Sequence, residues 1–357
     1  MSRKLRFGLI GLGEIAYSST GHVFQQTANA EMIVGMDPLA EIATSYESEY
    51  GIPCSTNLED VLTHPDVDAV VISTPHNLHV PLGIQAAQAG KHVIVEKPMA
   101  TTLEDADALI AACKEARVLC SSKEGSVRYQ PATAKAKELI EQGAIGELMA
   151  TQVTGASNKP PSYWTGGYTG RVHTTWRKSK FESGGGVLIM NYIYDFYRLR
   201  YITGQEITRV FAEFGTYRTP VEVEDFITVT LRYTNGALGT WMAASCAPGA
   251  SKAGARGTRA SDNRIFGTAG QIVFDNNDLL VYTDNEIEGL TPGEWTQLSF
   301  PRQWGDQAYV VYFDKFAEAI FEGRTPDIPC EEGRKTLEVL LAAYQSGETH
   351  MPVTLSM

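Results

Sequence analysis

The chain has 357 residues, is 43% hydrophobic and carries a formal charge of -12, so it has enough apolar material for two ordinary cores. That acidity excludes nucleic-acid binding as a main task, because a phosphate backbone needs a basic surface, and any anion recognition has to be local. No run reaches the ~18 apolar residues that cross a bilayer. The amino terminus enters a strand at once without a signal-peptide pattern, which leads to an expected cytoplasmic location. Cys54, Cys113, Cys120, Cys246 and Cys330 are scattered without a CxxC pair, so reduced thiols and no metal site are expected.

Residues 5–16, LRFGLIGLGEIA, join a short apolar run to a glycine-rich turn. Gly11 permits the tight turn, Gly13 lets a pyrophosphate approach the backbone and Ala16 allows close helix packing, with Glu14 and Ile15 between them at the helix start. A second apolar run ends at Asp37, where a carboxylate suits a ribose 2'-hydroxyl. Pro38 follows it and leaves no adjacent arginine for a 2'-phosphate, so NAD is expected over NADP. The apolar strand segments AVVIST (69–74) and HVIVEKP (92–98) then alternate with helical stretches, as in a doubly wound parallel sheet.

Ligands on such sheets sit at the carboxyl ends of the strands. Thr74, Pro75, Asn77 and His79 follow one such end, and Glu96, Lys97 and Pro98 follow the next. These residues join the fingerprint as candidate cofactor contacts, although His79 equally suits packing of the following helix. Lys97, near a positive nicotinamide ring and partly desolvated, should have its pKa drawn down toward a range useful for moving a hydroxyl proton. The alternative for Lys97 is a plain salt bridge to Glu96.

In GLGEIA, TPHNLH and VEKPMA the chain resembles the Gfo/Idh/MocA family of nicotinamide-dependent sugar and polyol oxidoreductases, and the likeness continues through RYQPATAKAKELIEQGAIGEL, TTWRKSKFESGGG and IFGTAGQIVFD to FAEAIFEGRTPDIPCEEGRKTLEVLLAAYQS. The resemblance implies a Rossmann domain followed by an α+β domain on an open, mostly antiparallel sheet, with the nicotinamide facing a pocket between them. It also implies that Lys97 lies beside the reacting carbinol. The pattern change places the first domain at 1–122 and the second, for substrate binding and homo-oligomer contacts (dimer or tetramer), at 123–357. Alternating segments such as TRVFAEFGTYR and the hairpin around TNGA support strands there.

The family pattern has a histidine on a glycine-headed helix, working with the lysine. Gly184, Gly185 and Gly186 are present, but none of the histidines at 22, 64, 76, 79, 92, 173 and 350 follows them. Counting from the glycines gives Met190 and Tyr194. Counting from a polar anchor gives Asn191 and Asp195, and either pair has the i, i+4 spacing of one helical face. Tyr194 is the preferred acid/base, with Asn191 orienting a sugar hydroxyl and Asp195 as the alternative.

Two stretches lack acidic residues, 159–181 and 226–261. The first carries Arg171, His173, Thr174, Thr175, Trp176, Arg177, Lys178 and Lys180, the second Arg232, Lys252, Arg256 and Arg259. Cations beside hydroxyls and aromatic faces suit a sugar with a permanent anion. Together with the family resemblance, which implies hydride transfer at a secondary carbinol, this makes the expected function oxidation of an anionic sugar, either as redox-neutral glycoside cleavage similar to that of the family's sulfoquinovosidases or as a plain dehydrogenase. A dinucleotide-binding sensor without turnover is the reading from another class.

Overall fold

The computed structural model describes residues 3–250, 261–301 and 306–355. The chain divides into two compact units that interleave along the sequence: the described residues of Met1–Ser126, Pro160–Gly184 and Trp304–Leu337 form one, and those of Val127–Lys159, Gly185–Gln303 and Glu338–Met357 the other. The first passage between these units falls at Ser126–Val127, and the chain returns to the first unit at Pro160 and at Trp304.

In the first unit, β1 (Leu5–Ile10), β2 (Ala30–Met36), β3 (Cys54–Ser55), β4 (Ala69–Ile72), β5 (His92–Val95) and β6 (Cys120–Ser122) form a sheet in the order β3-β2-β1-β4-β5-β6, with every pairing parallel. All four residues of β4 are buried, as expected of a strand covered on both faces. The order reverses between β1 and β4, which puts the ligand crevice beyond the carboxyl ends of those strands. The helix α1 starts at Glu14–Ala16, widens through a π-turn over Tyr17–Gly21 and ends at His22–Phe24; it is followed by α2 (Ala40–Tyr50), α3 (His79–Gln88) and α4 (Leu103–Ala116).

A late segment completes this core. Phe313 of the helix Asp306–Glu322 lies with its ring 4.4 Å from that of Phe24 and 5.8 Å from that of Phe7. The Asp314 carboxylate accepts the backbone N–H groups of Ala28 and Asn29 at 3.1 and 2.7 Å. The expectation of five unpaired thiols is corrected here: Cys120 and Cys330 are disulfide-bonded, with Cα atoms 5.5 Å apart. β6 runs beside the segment before the helix Cys330–Thr349, where Ser121 Oγ donates to the Ile328 carbonyl at 2.5 Å, and this brings the two cysteines together. Cys54, Cys113 and Cys246 stay free.

The second unit is built on nine strands: β7 (Leu148–Ala156), β8 (Ile207–Gly215), β9 (Phe226–Tyr233), β10 (Leu238–Ala244), β11 (Ser261–Gly267), β12 (Gly270–Asp275), β13 (Asp278–Thr283), β14 (Trp295–Leu298) and β15 (Val353–Thr354), in the order β14-β13-β12-β11-β7-β10-β9-β8-β15. Among the described residues of this sheet only the β7–β10 pairing is parallel. β9 alternates buried and exposed residues, so one face packs and the other does not. The packed face includes Trp241, whose ring stacks on Phe196 at 3.7 Å. Among the described residues no helix is long and apolar enough to cross a membrane.

Candidate active site

The glycine-rich turn follows directly from β1. Gly11 has φ 87°, and a Cβ there would lie 2.7 Å from the Ser73 carbonyl oxygen, so only glycine fits. At Gly13 a Cβ would meet nothing nearer than Val172 Cγ2 at 3.7 Å, which leaves the backbone open to a close-lying group. Ala16 is fully buried and Ile15 is exposed. Asp37, just past β2, accepts the Leu12 N–H on Oδ2 and the Leu39 N–H on Oδ1, each at 3.0 Å. Each carboxylate oxygen keeps a second lone pair for a ribose hydroxyl.

At the end of β4, Ser73 Oγ and Asn77 Oδ1 are buried without a hydrogen-bond partner. Buried polar atoms are normally satisfied, so two orphans at a strand end fit a hydroxyl- and amide-bearing ligand. With the open Gly13 and the Asp37 carboxylate, these residues fit a nicotinamide dinucleotide. His79 is wholly buried, with Nδ1 2.8 Å from the Pro98 carbonyl oxygen and Nε2 3.0 Å from that of Thr74. It thus joins the loops after β4 and β5 and serves as part of the frame. Its burial draws its pKa down, against the pull of the two carbonyls.

Glu96 and Lys97 follow β5. Burial pushes the Glu96 carboxyl up, but Lys123 outweighs it by charge and hydrogen bond, helped by Lys97, and holds the pKa below the usual carboxylate range. Lys123, itself fully buried, places its ammonium 2.5 Å from Glu96 Oε1 and 4.4 Å from the ring centre of Tyr309. Lys97 gives Glu96 its backbone N–H, at 3.2 Å. The Glu96 carboxylate thus has Lys123 as an ion-pair partner, and the Lys97 side chain next to it in sequence is half-buried.

The stretch TTWRKSKFES docks onto these strand ends through His76, which sequence reasoning missed although it stands within TPHNLH. His76 Nδ1 donates to the Ser183 carbonyl at 2.7 Å, and its ring centre is 4.4 Å from that of Trp176. Burial drives the His76 pKa well below its ordinary value, with further lowering by His79, Lys97 and Arg177. Lys97 and Arg177 thus act on the same imidazole. Arg177 is only 8% exposed, with its guanidinium 4.5 Å from the Trp176 ring centre and 5.0 Å from that of Tyr163. Among the described residues no carboxylate pairs with it. Thr174 and Lys178 are half-buried nearby in sequence, and His173, Thr175 and Lys180 are exposed.

Arg171 is placed differently: its guanidinium lies 4.0 Å from the ring centre of Tyr17, on α1, and Nη2 donates to Ser45 Oγ of α2 at 2.9 Å. It belongs beside the glycine fingerprint. Arg232 is exposed and donates to the Gly236 carbonyl at 3.0 Å within the β9–β10 turn, while Lys252, Arg256 and Arg259 lie outside the described residues.

In the second unit the glycine-headed helix is fixed by a residue with no signal in sequence. Glu224, 3% exposed, accepts the Gly186 N–H at 2.6 Å, the Leu188 N–H at 2.9 Å and the Tyr344 hydroxyl at 2.9 Å. Burial pushes its carboxyl up to about 7 against the pull of those hydrogen bonds. Leu188–Tyr192 form a π-turn before the α-helix Ile193–Thr203, so the i, i+4 count that paired Asn191 with Asp195, and Met190 with Tyr194, crosses a widened turn. Asp195 Oδ1 accepts from Arg198 Nη1 at 2.8 Å and from Asn263 Nδ2 at 3.3 Å. Burial raises its pKa, and Arg198 and Asn263 oppose the rise. Tyr192 packs over Gly155, while Asn191 and Tyr194 are half-buried.

Comparison with known proteins agrees with this architecture. Residues 5–124 match the NAD-binding Rossmann-fold model of the Gfo/Idh/MocA oxidoreductase family, and residues 133–273 match the GFO/IDH/MocA C-terminal domain. The chain is 28% identical over 369 residues, 100% of its length and 98% of the relative's, to scyllo-inositol 2-dehydrogenase (NAD(+)) of Bacillus subtilis strain 168. Among solved structures it is similar to the aldose-aldose oxidoreductase of Caulobacter crescentus complexed with glycerol, with 27% identity, TM-score 0.82 and coverage of 99% of this chain and 100% of that one. It is also similar to the WlbA dehydrogenase of Bordetella pertussis in complex with NADH and UDP-GlcNAcA, with 26% identity, TM-score 0.81 and coverage of 99% and 100%. The chain belongs to the Gfo/Idh/MocA family and is an NAD-binding oxidoreductase-fold enzyme.

Proposed function

We propose that this enzyme oxidises a ring carbinol of an anionic sugar, and that the overall outcome is redox-neutral cleavage of its glycoside. The observation that carries the anionic substrate is Arg177, a buried guanidinium held between two aromatic rings with no carboxylate partner among the described residues, on the segment docked at the strand ends by His76. A buried charge is normally paired, so a ligand anion is the missing partner. Sulfonate, carboxylate and phosphate share that chemistry; a sulfonate stays charged at any physiological pH. The relatives' names, a cyclic polyol dehydrogenase and an aldose-aldose oxidoreductase, support a ring carbinol as the reacting group.

NAD held at the glycine-rich turn and Asp37 would supply the hydride acceptor and, in the redox-neutral outcome, the hydride donor. Lys97 takes the carbinol proton; Lys123 is an ion-pair partner of Glu96, which supports that role. The resulting C3 ketone acidifies the C2 hydrogen, whose proton passes to a base as the C1 substituent leaves; water then adds with its oxygen at C1 and a proton returned to C2, and reduction at C3 restores the sugar. Tyr194 handles the second proton. Asp195, which accepts from Arg198 and Asn263, is the alternative for that role. Asn191 orients a sugar hydroxyl. The same proposal places homo-oligomer contacts on the unpacked face of the nine-stranded sheet.

Nitrophenyl glycosides of sulfonated, uronic and neutral sugars test this reading. Aglycone release from an anionic glycoside without net NADH is expected. NADH accumulating with free sugar would instead establish a plain dehydrogenase that releases a keto sugar. Lys97→Ala should abolish turnover with dinucleotide affinity little changed. Arg177→Met should raise KM for the anionic glycoside about 10- to 100-fold, the worth of a charge-assisted hydrogen bond, and leave a neutral one unaffected. Equal effects on both glycosides would remove the anion from the proposal.

A further inference from the structure

We infer that residues 165–174 form a clasp over the dinucleotide-binding turn, and that Glu14 and Arg171 hold NAD in place between turnovers. The loop is closed at its base, where the Thr174 N–H donates to the Thr165 carbonyl at 3.0 Å. Its tip is clipped to the fingerprint. Glu14 Oε1 accepts the N–H groups of Tyr168 and Thr169 at 3.1 and 3.2 Å, and Oε2 accepts the Thr169 hydroxyl in a short hydrogen bond. Gly167, with φ 82°, lets the chain pass close: a Cβ there would lie 2.8 Å from Glu14 Cδ. Val172 is then the nearest neighbour of the open side of Gly13.

The second attachment is Arg171. Its guanidinium lies over Tyr17 and donates to Ser45, and its Nε is buried with no partner. Among the described residues no carboxylate pairs with it, so an unneutralised cation is held beside the turn that a pyrophosphate approaches. That charge and the orphan Nε suit a phosphate oxygen. Glu14 has the opposite character. A carboxylate in the first turn of this helix would by itself repel a pyrophosphate at the helix N-terminus. Its role as the clip explains its presence: the charge is turned onto three hydrogen-bond donors of the loop.

The clasp rests on NAD binding, and its consequence rests on the glycoside-cleavage reading above. A dinucleotide that does not exchange must give its hydride back to a sugar carbonyl in place, which makes the reaction redox-neutral.

Release of NADH, followed by fluorescence on mixing the loaded full-length enzyme with excess NAD and no sugar present, tests the clasp. Removing the clip by Glu14→Ala should speed release about 10-fold or more, and the milder Thr169→Val, at an exposed position, should speed it in the same direction. Simple electrostatics predicts the opposite sign for Glu14→Ala, because it removes a repelling charge. Release that is unchanged or slower in Glu14→Ala, or unchanged in Thr169→Val, overturns the clasp. Arg171→Met should likewise hasten release, and unaltered release there removes Arg171 from it. Because no sugar is used, an enzyme that holds its NADH but cleaves no glycoside keeps the clasp and fails the glycosidase reading.

Discussion

Two glycine-led helices, one in each unit, begin alike and are used in opposite ways. Both widen into a π-turn soon after the glycines, at Tyr17–Gly21 and at Leu188–Tyr192. Behind the fingerprint the space beside Gly13 holds only Val172, at 3.7 Å from a would-be Cβ. At the other helix a Cβ on Gly186 would lie 2.0 Å from the Glu224 carbonyl oxygen, and Glu224 also takes the N–H groups that such a terminus otherwise offers. One helix end is kept open for a ligand; the other is filled by its own protein and becomes a rigid mount. Glycine runs alone do not distinguish an anion site from a packing device.

The largest expected effect breaks that contrast at its sharpest point. Gly186→Ala drives a methyl group into main chain and should destabilise the second unit by about 4 kcal/mol or more, toward the extreme for single substitutions. Gly13→Ala should leave the thermal midpoint nearly unchanged and weaken NAD binding about 10- to 100-fold, the overpacking penalty transferred to the ligand. Thermal melts with and without NAD separate the two. Equal loss of stability in both variants would show that the two helix ends are the same kind of structure.

What sequence revealed follows the same division. The fingerprint turn, the carboxylate at Asp37 and the strand-end residues are local patterns, so GLGEIA and EKP were readable with the parallel sheet around them. The β9–β10 hairpin was readable for the same reason, since TNGA carries its own turn chemistry. Glu224 was not, because it meets Gly186 from 38 residues away and no spacing rule links them. The Cys120–Cys330 pairing spans 210 residues, so scattered cysteines were misread as free. Arg171 and Arg177 look equivalent in a run of cations; packing sends one to Tyr17 and Ser45 and the other between Trp176 and Tyr163. The π-turn also upset a count that assumed a regular helix.

A middle-sized effect sharpens what the rigid mount is for. If the glycine-headed helix exists to aim Tyr194, then Tyr194→Phe should lower kcat by about 100-fold, as loss of a general acid or base does. Asp195→Asn should instead act on stability, because its carboxylate holds Arg198 and Asn263. A near-normal rate for the phenylalanine variant, together with a collapsed rate for the asparagine one, would transfer the acid/base role to Asp195.

The smallest expected effect probes the mount itself through pH. Glu224 is raised to about 7 by burial, and a carboxyl that binds its proton more tightly when folded contributes stability that is complete below the unfolded pKa of 4.5 and is lost as pH rises through the folded value. The thermal midpoint should therefore carry a falling component between about pH 5 and 7 from this group. Tyr344→Phe removes the hydroxyl that donates to Glu224 at 2.9 Å, and with it one of the pulls that hold the pKa down. The variant should lose about 1 kcal/mol at neutral pH, the net worth of one hydrogen bond, and its fall in stability should move to higher pH. A midpoint that falls over the same pH range in both proteins would mean that Glu224 does not titrate there, and that the helix end is held by a carboxylate charged throughout.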